Sequence, residues 1–401
     1  MNILLIVKKL GTGNLDYKIM KKAKDEKIIM VSNIGSASRK YFVYSVSKKE
    51  KEPKELFSLQ FDEKEYYPNI KLENALYEFF EISKAKFDFW VSDIDIIAER
   101  VVAVGEYFLE NRLIDEKYLE ELEEVQKYDP LHTESLIDEI QKIFLIKEVC
   151  EKNKVKCKFK LIGISDSAFH STIPPETYTY GVKSVKNKNH RKFGYHGISM
   201  SEVDRNFGKD FKKIIAIHLG GGGSVTAIEK GQSVYNSFGM TPVSGLINLT
   251  RVGDIDPFLT IDLTEEHKKL FRLLSEDNYL FKNTRKDLYS KSGLYALTGE
   301  KDMRDILSNL KIKDNKIKEK NKFALDVYMT KINESVGAAY AHLGGCEALV
   351  LTGAILEKSD IFREIFLPKL KWLKVEKDNI FVLKTQEEKE IARLVVEDKF
   401  V

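Results

Sequence analysis

At roughly 150 residues per domain, a chain of 401 residues has room for two or three domains with sizeable cores. Its 65 Lys and Arg against 62 Asp and Glu leave +3, so no global charge draws it to nucleic acid or an anionic membrane, and neither partner is expected. Hydrophobic residues at 43% and charged residues at 32% fit a folded soluble protein and exclude a disordered one.

The first 27 residues are assigned no function. Ile3–Val7 reads as a strand, but Lys8–Lys27 mixes Gly, Asn and many lysines without a clean period, and Met20 is an alternative start. The Ile3–Val7 run is too short to span a bilayer and lacks a signal peptide's h-region and cleavage site, so export is not expected. Cys150, Cys157 and Cys346 form no CxxC; a disulfide scaffold and a cysteine zinc site are excluded, and a reducing cytoplasm is expected.

From Ile28 the pattern sharpens. Ile28–Val31 is a short apolar strand, Ser32–Ser38 a small-residue turn, and Tyr41–Val46 a second strand. The arrangement returns at Ile214–His218, Leu219–Ser224 and Val225–Ile228, which suggests an internal duplication. Between and after these hairpins the spacing predicts helices over 73–84, 118–128, 134–153, 322–343 and 387–400, with strands at 158–164, 348–351 and 380–383. In the longest helix, Phe323, Val327, Met329, Ile332, Val336 and Tyr340 recur near one face. No Pro- or Ser-rich linker separates the halves.

Several segments could carry chemistry. Asn33, Gly35, Ser36, Ser38 and Lys40 could form an anion nest, or simply an ordinary β-turn. The Gly220–Gly223 run has the same two readings. There is no GxxxxGK[ST] and no GxGxxG between a strand and a helix, which removes the main support for a P-loop or Rossmann enzyme. Seven histidines without ligand spacing make a zinc hydrolase improbable. His196, set between Gly194 and Gly197, is either a ligand-facing ring or a satisfied structural histidine. Arg100, Arg251 and the charged run Asp302–Asp305 would suit phosphoryl transfer, because guanidinium forks match phosphate oxygens; surface ion pairing is the bland alternative for each.

Taken in order, eight segments resemble the acetokinase family of the sugar kinase/Hsp70/actin-type superfamily: Asn33–Lys40, Asp166–Pro175, Phe193–Ser199, His218–Gly220, Thr241–Pro242, Thr250–Pro257, Lys291–Leu294 and Thr385–Glu388. The resemblance runs from about Ile28 to Ala392. It implies an α/β fold of two similar actin-type domains with a cleft between them, residues 28–167 plus 386–401 forming the first and 168–385 the second, and a homodimer built through the second. It implies Mg²⁺ (or Mn²⁺) held through Asn33 and Glu387, and ATP or ADP held through Ser36, Ser38, Lys40, His218, Gly220, Gly221, Gly222, Asp302, Arg304, Gly353 and Ala354. Arg100 and Arg251 would clamp the carboxylate and the phosphoryl group in flight, Asp166 would orient these arginines or the metal, and His132 and His196 would donate hydrogen bonds to the phosphoryl group. Val102, Leu131, Tyr195 and Pro242 would form the small apolar pocket for the methyl group of acetate or acetyl phosphate.

The chain also departs from the family's pattern. Gly221 stands where the family has Asn, Glu99 where its arginine motif has His, and Tyr195 where Phe precedes the catalytic His. Gly353–Lys358 replaces Gly-Gly-Ile-Gly-Glu-Asn, so Leu356 is expected to set a branched side chain where backbone should approach the nucleotide. The reading is an active acetate kinase with weakened nucleotide handling; the alternatives are a propionate or other short-acid kinase, and a nucleotide-binding paralogue with little turnover.

Overall fold

The computed structural model describes residues 25–400 apart from 36–37, 48, 63–66, 68, 183–189 and 271–276, and leaves out the side chains of 131, 267–270 and 277–282. The expected strand Ile3–Val7 and the alternative start Met20 lie outside the described residues.

The apolar runs near Ile28 build the first sheet. Strand β1 (Glu26–Ile34) reaches farther than expected: Asn33 pairs with Lys40 and Ile34 with Arg39 of β2 (Ser38–Ser47), so Ser32, Asn33 and Ile34 belong to the strand. Strands β3 (Lys54–Asp62), β4 (Ile96–Val101), β5 (Arg112–Leu113) and β6 (Lys160–Ser165) complete the order β3-β2-β1-β4-β6-β5. One face packs on α1 (Ala75–Phe87), α2 (Glu116–Val125) and α3 (Pro130–Lys152), with Phe79, Phe108 and Ile140 among the fully buried residues.

The cysteine reading is corrected here. Cys150, near the end of α3, and Cys157 are paired as a disulfide with Cα atoms 6.0 Å apart. Lys154 adopts a left-handed φ of 56° and the amide of Val155 returns to the carbonyl of Cys150, reversing the chain so that the two residues fall within bridging reach. The cysteines therefore give no argument for a reducing compartment.

Helices α4 (Pro175–Tyr178) and α5 (Gly197–Phe207) lead to the second sheet. Strands β7 (Lys213–Leu219), β8 (Gly223–Glu229), β9 (Gln232–Asn236), β10 (Ala348–Thr352) and β11 (Ile380–Val382) form the order β11-β10-β7-β8-β9. The first three are antiparallel, and β7-β10 and β10-β11 are parallel. The same relations hold for β1-β2-β3, β1-β4 and β4-β6, so the duplication inferred from the two hairpins appears in the topology of both sheets.

Helices α6 (Pro257–Leu270), α7 (Asp277–Ser290), α8 (Gly293–Thr298), α9 (Met303–Asn309), α10 (Asn315–Leu343), α11 (Ala354–Lys358) and α12 (Asp360–Phe366) belong to the second half. In α10, capped by Asp314, the buried stripe is Leu325, Met329, Ile332, Val336, Ala339 and Leu343, whereas Phe323 is 62% exposed. Helix α13 (Glu387–Glu397) returns to cover the first sheet, burying Ile391 and Val395 against Ile29, Val31 and Ile164. Met200 and Val203 of α5 cover the second sheet in the same way, and α5 and α13 pack on each other. Buried Glu390 joins them, accepting Arg205 Nη2 at 2.7 Å and Ser201 Oγ at 2.8 Å.

Leu356 is a second correction. It lies in α11 and is fully buried in the core between the second sheet and its helices; it neither lines the nucleotide cavity nor occupies left-handed backbone. Helical geometry turns this position inward, so its bulk fills the core. Leu356→Ala is expected to cost about 2–4 kcal/mol by leaving a cavity, read as a lower midpoint in denaturant unfolding; unaltered stability would contradict this placement.

Candidate active site

Strand alternation puts Asn33, Lys40 and Arg100 on the α13 face of the first sheet. Arg100 is the hub. Its Nη2 lies 3.2 Å from Asp166 Oδ2, and its Nη1 lies 3.3 Å from Asn33 Oδ1 and 3.5 Å from Glu387 Oε2. Burial opposes the guanidinium charge, but Asp166, Glu387 and Glu388 more than restore it and raise its pKa. Asp166, just beyond β6, also accepts the amide of His196 at 3.0 Å, so one carboxylate ties the first sheet to the start of α5.

Glu387 opens α13 and accepts Ser199 Oγ at 2.9 Å. Burial alone would raise its pKa; Arg100, His218 and the Ser199 hydrogen bond outweigh that and hold it at about 2. Its neighbour Glu388 takes Asn33 Nδ2 at 2.9 Å and Lys40 Nζ at 3.2 Å, so Lys40 already has an ion-pair partner. Ser38 closes the turn, its carbonyl accepting the amide of Gly35 at 2.9 Å; Ser36 lies outside the described residues.

From the second half, His196 adopts φ 64°, and its Nδ1 lies 2.9 Å from Ser224 Oγ. Its ring lies over His218 with centroids 4.2 Å apart. A β-carbon added to Gly222 would sit 3.3 Å from Arg251 Nη1 and 3.4 Å from His196 Nε2, so arginine and imidazole meet over the tip of the β7-β8 hairpin. Burial, then the charges of His218, Arg100 and Arg251, push the pKa of His196 well below its usual value. Arg251 is anchored by its Nη1 on the carbonyl of Pro242 at 3.4 Å, and burial pulls its pKa down. His132, in the first turn of α3, lies with Nδ1 2.9 Å from buried Asp129, whose charge also acts on Arg251.

Beside His196 lies an apolar cluster of Val104, Phe193, Tyr195 and Phe238, with Val102 and Met240 packed against it. The Tyr195 hydroxyl donates to the carbonyl of Met240 at 2.7 Å, so it adds no free polar group to the niche. Pro242 is buried and its carbonyl meets Arg251, and the side chain of Leu131 lies outside the described residues.

A cavity of about 670 Å³ opens between α9 and α11, lined by Gly220, Gly221, Asp302, Arg304, Ala354 and Lys358 among others. Asp302 caps α9 through the amide of Arg304 and pairs with its guanidinium at 2.6 Å, placing both on the rim. Gly353 has φ 84°, and a β-carbon there would meet the carbonyl oxygen of Leu219 at 2.5 Å, so this approach requires glycine. The loop is pinned by Glu357, which accepts the amide of Gly353 at 2.9 Å and the hydroxyl of Thr385 at 2.8 Å. Gly221 differs: a β-carbon there meets nothing within 4 Å.

Asn33 Oδ1 and Glu387 Oε2 flank one nitrogen of Arg100, which brings two hard oxygen donors together. Among the described residues no group of three or more His, Cys, Asp or Glu could hold a metal ion. That donor set fits Mg²⁺, which is bound by one or two protein oxygens plus water and substrate phosphates. Sequence reasoning missed Asp129, Ser224, Glu357 and Glu388. Asp129 precedes Pro130 and reads as a helix start, and Glu388 is masked by the adjacent Glu387; the others are common residue types with no spacing signal.

The acetokinase family model matches residues 28–397. The chain belongs to the acetokinase family. Acetate kinase of Mycoplasma genitalium is 32% identical over 362 residues, 85% of each chain, and that of Campylobacter lari is 30% identical over 98% of each. A solved propionate kinase from Francisella tularensis superposes with a TM-score of 0.72 at 25% identity, covering 92% of this chain and 98% of its own.

Buried histidines set the acid limb of stability. Burial holds His170 at about 4, against an ordinary value of 6.5, while its Nε2 stays 2.9 Å from the carbonyl of Tyr195. The unfolded chain takes up this proton near 6.5 and the folded protein only near 4, so stability is lost as pH falls through that window, by about 1.4 kcal/mol per unit. Denaturation midpoints should fall accordingly between those values, and His170→Gln should flatten the slope.

Proposed function

We propose that the protein transfers the γ-phosphoryl group of ATP to acetate, reversibly, giving acetyl phosphate and ADP. The observation that carries this reading is that Arg251 meets His196 over the glycine hairpin while Asp166 joins Arg100 to the His196 amide, beside an apolar niche. A carboxylate substrate is ionised at neutral pH, so its oxygen can attack phosphorus in line without a general base. The work left to the protein is alignment and neutralisation of charge.

Arg251 and Arg100 supply fixed positive charge where two anions must approach each other. In the tautomer whose Nδ1 accepts the Ser224 hydroxyl, His196 would present Nε2–H to the phosphoryl oxygens, and as a neutral ring it would donate without adding charge. Asp166 holds both Arg100 and the His196 amide, and therefore sets their spacing. His132, oriented by Asp129, would donate a hydrogen bond to the same anion from α3. Asn33 and Glu387 would hold Mg²⁺, which when bound screens the phosphate charge. The methyl group of acetate would lie against Val102, Tyr195 and Phe238, and the nucleotide in the cavity between α9 and α11.

Residues 28–167 with 386–401, and 168–385, are proposed as two domains closing on this cleft; the packing of α13 on the first sheet supports the discontinuous boundary. Resemblance to the family supports a homodimer built through the second domain, and an ATP donor supports a cytoplasmic location.

The test gives the protein MgATP with acetate, propionate or butyrate and traps acyl phosphate with hydroxylamine. Hydroxamate should form with acetate in preference to butyrate. A higher rate with propionate would make this a propionate kinase, and none with any acid would sink the reading. Arg251→Ala should lower kcat at least about 100-fold, as expected for loss of a transition-state contact. Gly221→Asn should fold normally, given the open space at that position, and lower the KM for ATP by about fivefold or more through a regained amide hydrogen bond.

A further inference from the structure

Thr385 and Gln386 connect the second sheet to helix α13, and they lie in neither a strand nor a helix. Leu383 still follows the sheet, donating its amide to the carbonyl of Leu351 at 2.9 Å. Beyond it the chain has no ladder to join, and backbone donors at such a junction need other acceptors. Both are met by acids from the second half. Glu202 of α5, 4% exposed, takes the amide of Gln386 on Oε2 at 2.8 Å. Glu357 of α11 takes the amide of Thr385 at 3.1 Å and its hydroxyl at 2.8 Å, both on Oε1.

That same oxygen of Glu357 accepts the amide of Gly353 at 2.9 Å and the hydroxyl of Thr352 at 3.3 Å. One carboxylate oxygen therefore ties the loop beside the nucleotide cavity to the connection that leads into α13. A carboxylate suits this task because it is acceptor-only and can take several donors at once. Glu202 differs: among the described residues it has no hydrogen bond to the Gly353 loop. The residue that follows the connection is Glu387, held by Ser199 Oγ at 2.9 Å and lying 3.5 Å from Arg100 Nη1. With the amides of Thr385 and Gln386 both fixed, the peptide between them cannot turn, and the direction in which Glu387 leaves the backbone is set.

We propose that Glu202 and Glu357 are positioning residues for Glu387, Glu202 by fixing the amide of Gln386 and Glu357 by fastening Thr385 to the Gly353 loop. Loss of Glu202 displaces Glu387 and leaves the nucleotide loop in place, whereas loss of Glu357 releases both. The inference rests on the reading that Glu387 and the Gly353 loop serve phosphoryl transfer from ATP.

The experiment compares Glu202→Met, Glu202→Gln, Glu357→Met and Thr385→Val with the unsubstituted protein. It measures amide hydrogen exchange over residues 352–357 and 383–390, calorimetric binding of ADP without divalent cation, and the Mg²⁺ concentration that half-saturates hydroxamate formation. Glu202→Met should speed exchange over 383–390 about tenfold and raise the half-saturating Mg²⁺ about fivefold, as for one lost hydrogen bond, with ADP affinity unchanged. Glu357→Met should speed exchange in both stretches and also weaken ADP about fivefold. Glu202→Gln keeps an acceptor oxygen and should recover most of what Glu202→Met loses. Unaltered exchange over 383–390 in a folded Glu202→Met protein overturns the inference. So does a loss of ADP affinity in Glu202→Met equal to that in Glu357→Met, which would mark general loosening. If neither Met variant folds, Thr385→Val, which removes a single hydroxyl, decides by its exchange over 383–390: faster supports the inference and unaltered overturns it. Should the unsubstituted protein make no hydroxamate, the functional reading fails, and hydrogen exchange alone judges the hold on the connection.

Discussion

The cleft depends on one buried guanidinium. Arg100 carries a full positive charge on a side chain only 19% exposed, and it is tolerable there because Asp166 and Glu387 compensate it from opposite halves of the chain. Remove either carboxylate and the remaining charges are left unbalanced; remove the arginine and two acids repel. The same ion set therefore fixes the spacing of Asn33, His196 and α13, and it does so without a covalent tie across the cleft. An enzyme whose substrates are both anions benefits from positive groups that are preorganised in this way, since little reorganisation is left for the reaction itself.

Duplication explains why the parts arrive from both halves. Each sheet sends a hairpin toward the cleft and places one helix against its partner's, α13 on the first sheet and α5 on the second. The starts of both helices lie at the site: His196 precedes α5 and Glu387 opens α13. The two hairpins have diverged in chemistry. The first is polar and anchored from beneath by Arg39, whereas the second is a glycine tip that lets Arg251 and His196 come close.

Much of this was legible in the chain. The β-branched runs, the glycine turn and the order of the motifs are local patterns, and each gave an element of the right type. What escaped was set by tertiary geometry. The pairing of Cys150 with Cys157 follows from a reversal at Lys154 that no spacing rule contains. Leu356 reads as an obstruction in a loop and is a core residue of α11, because helical phase decides which way it points. Phe323 fits the apolar stripe of α10 by composition but lies on its outer side. Glu388 and Asp129 needed the packed structure, since adjacency to Glu387 and Pro130 gives each a ready ordinary explanation.

Helix α13 is also a lever. Its front carries Glu387, while Arg205 grips its rear through Glu397 and its first turn through Glu390. Glu397 lies about 15 Å behind Glu387 at 1.5 Å per residue, and over that arm a tilt of about two degrees moves the front by about half an ångström. Such a displacement is comparable to the tolerance of a catalytic constellation. Substitutions at the solvent-facing ion pairs of this helix can therefore retune the chemistry from a distance.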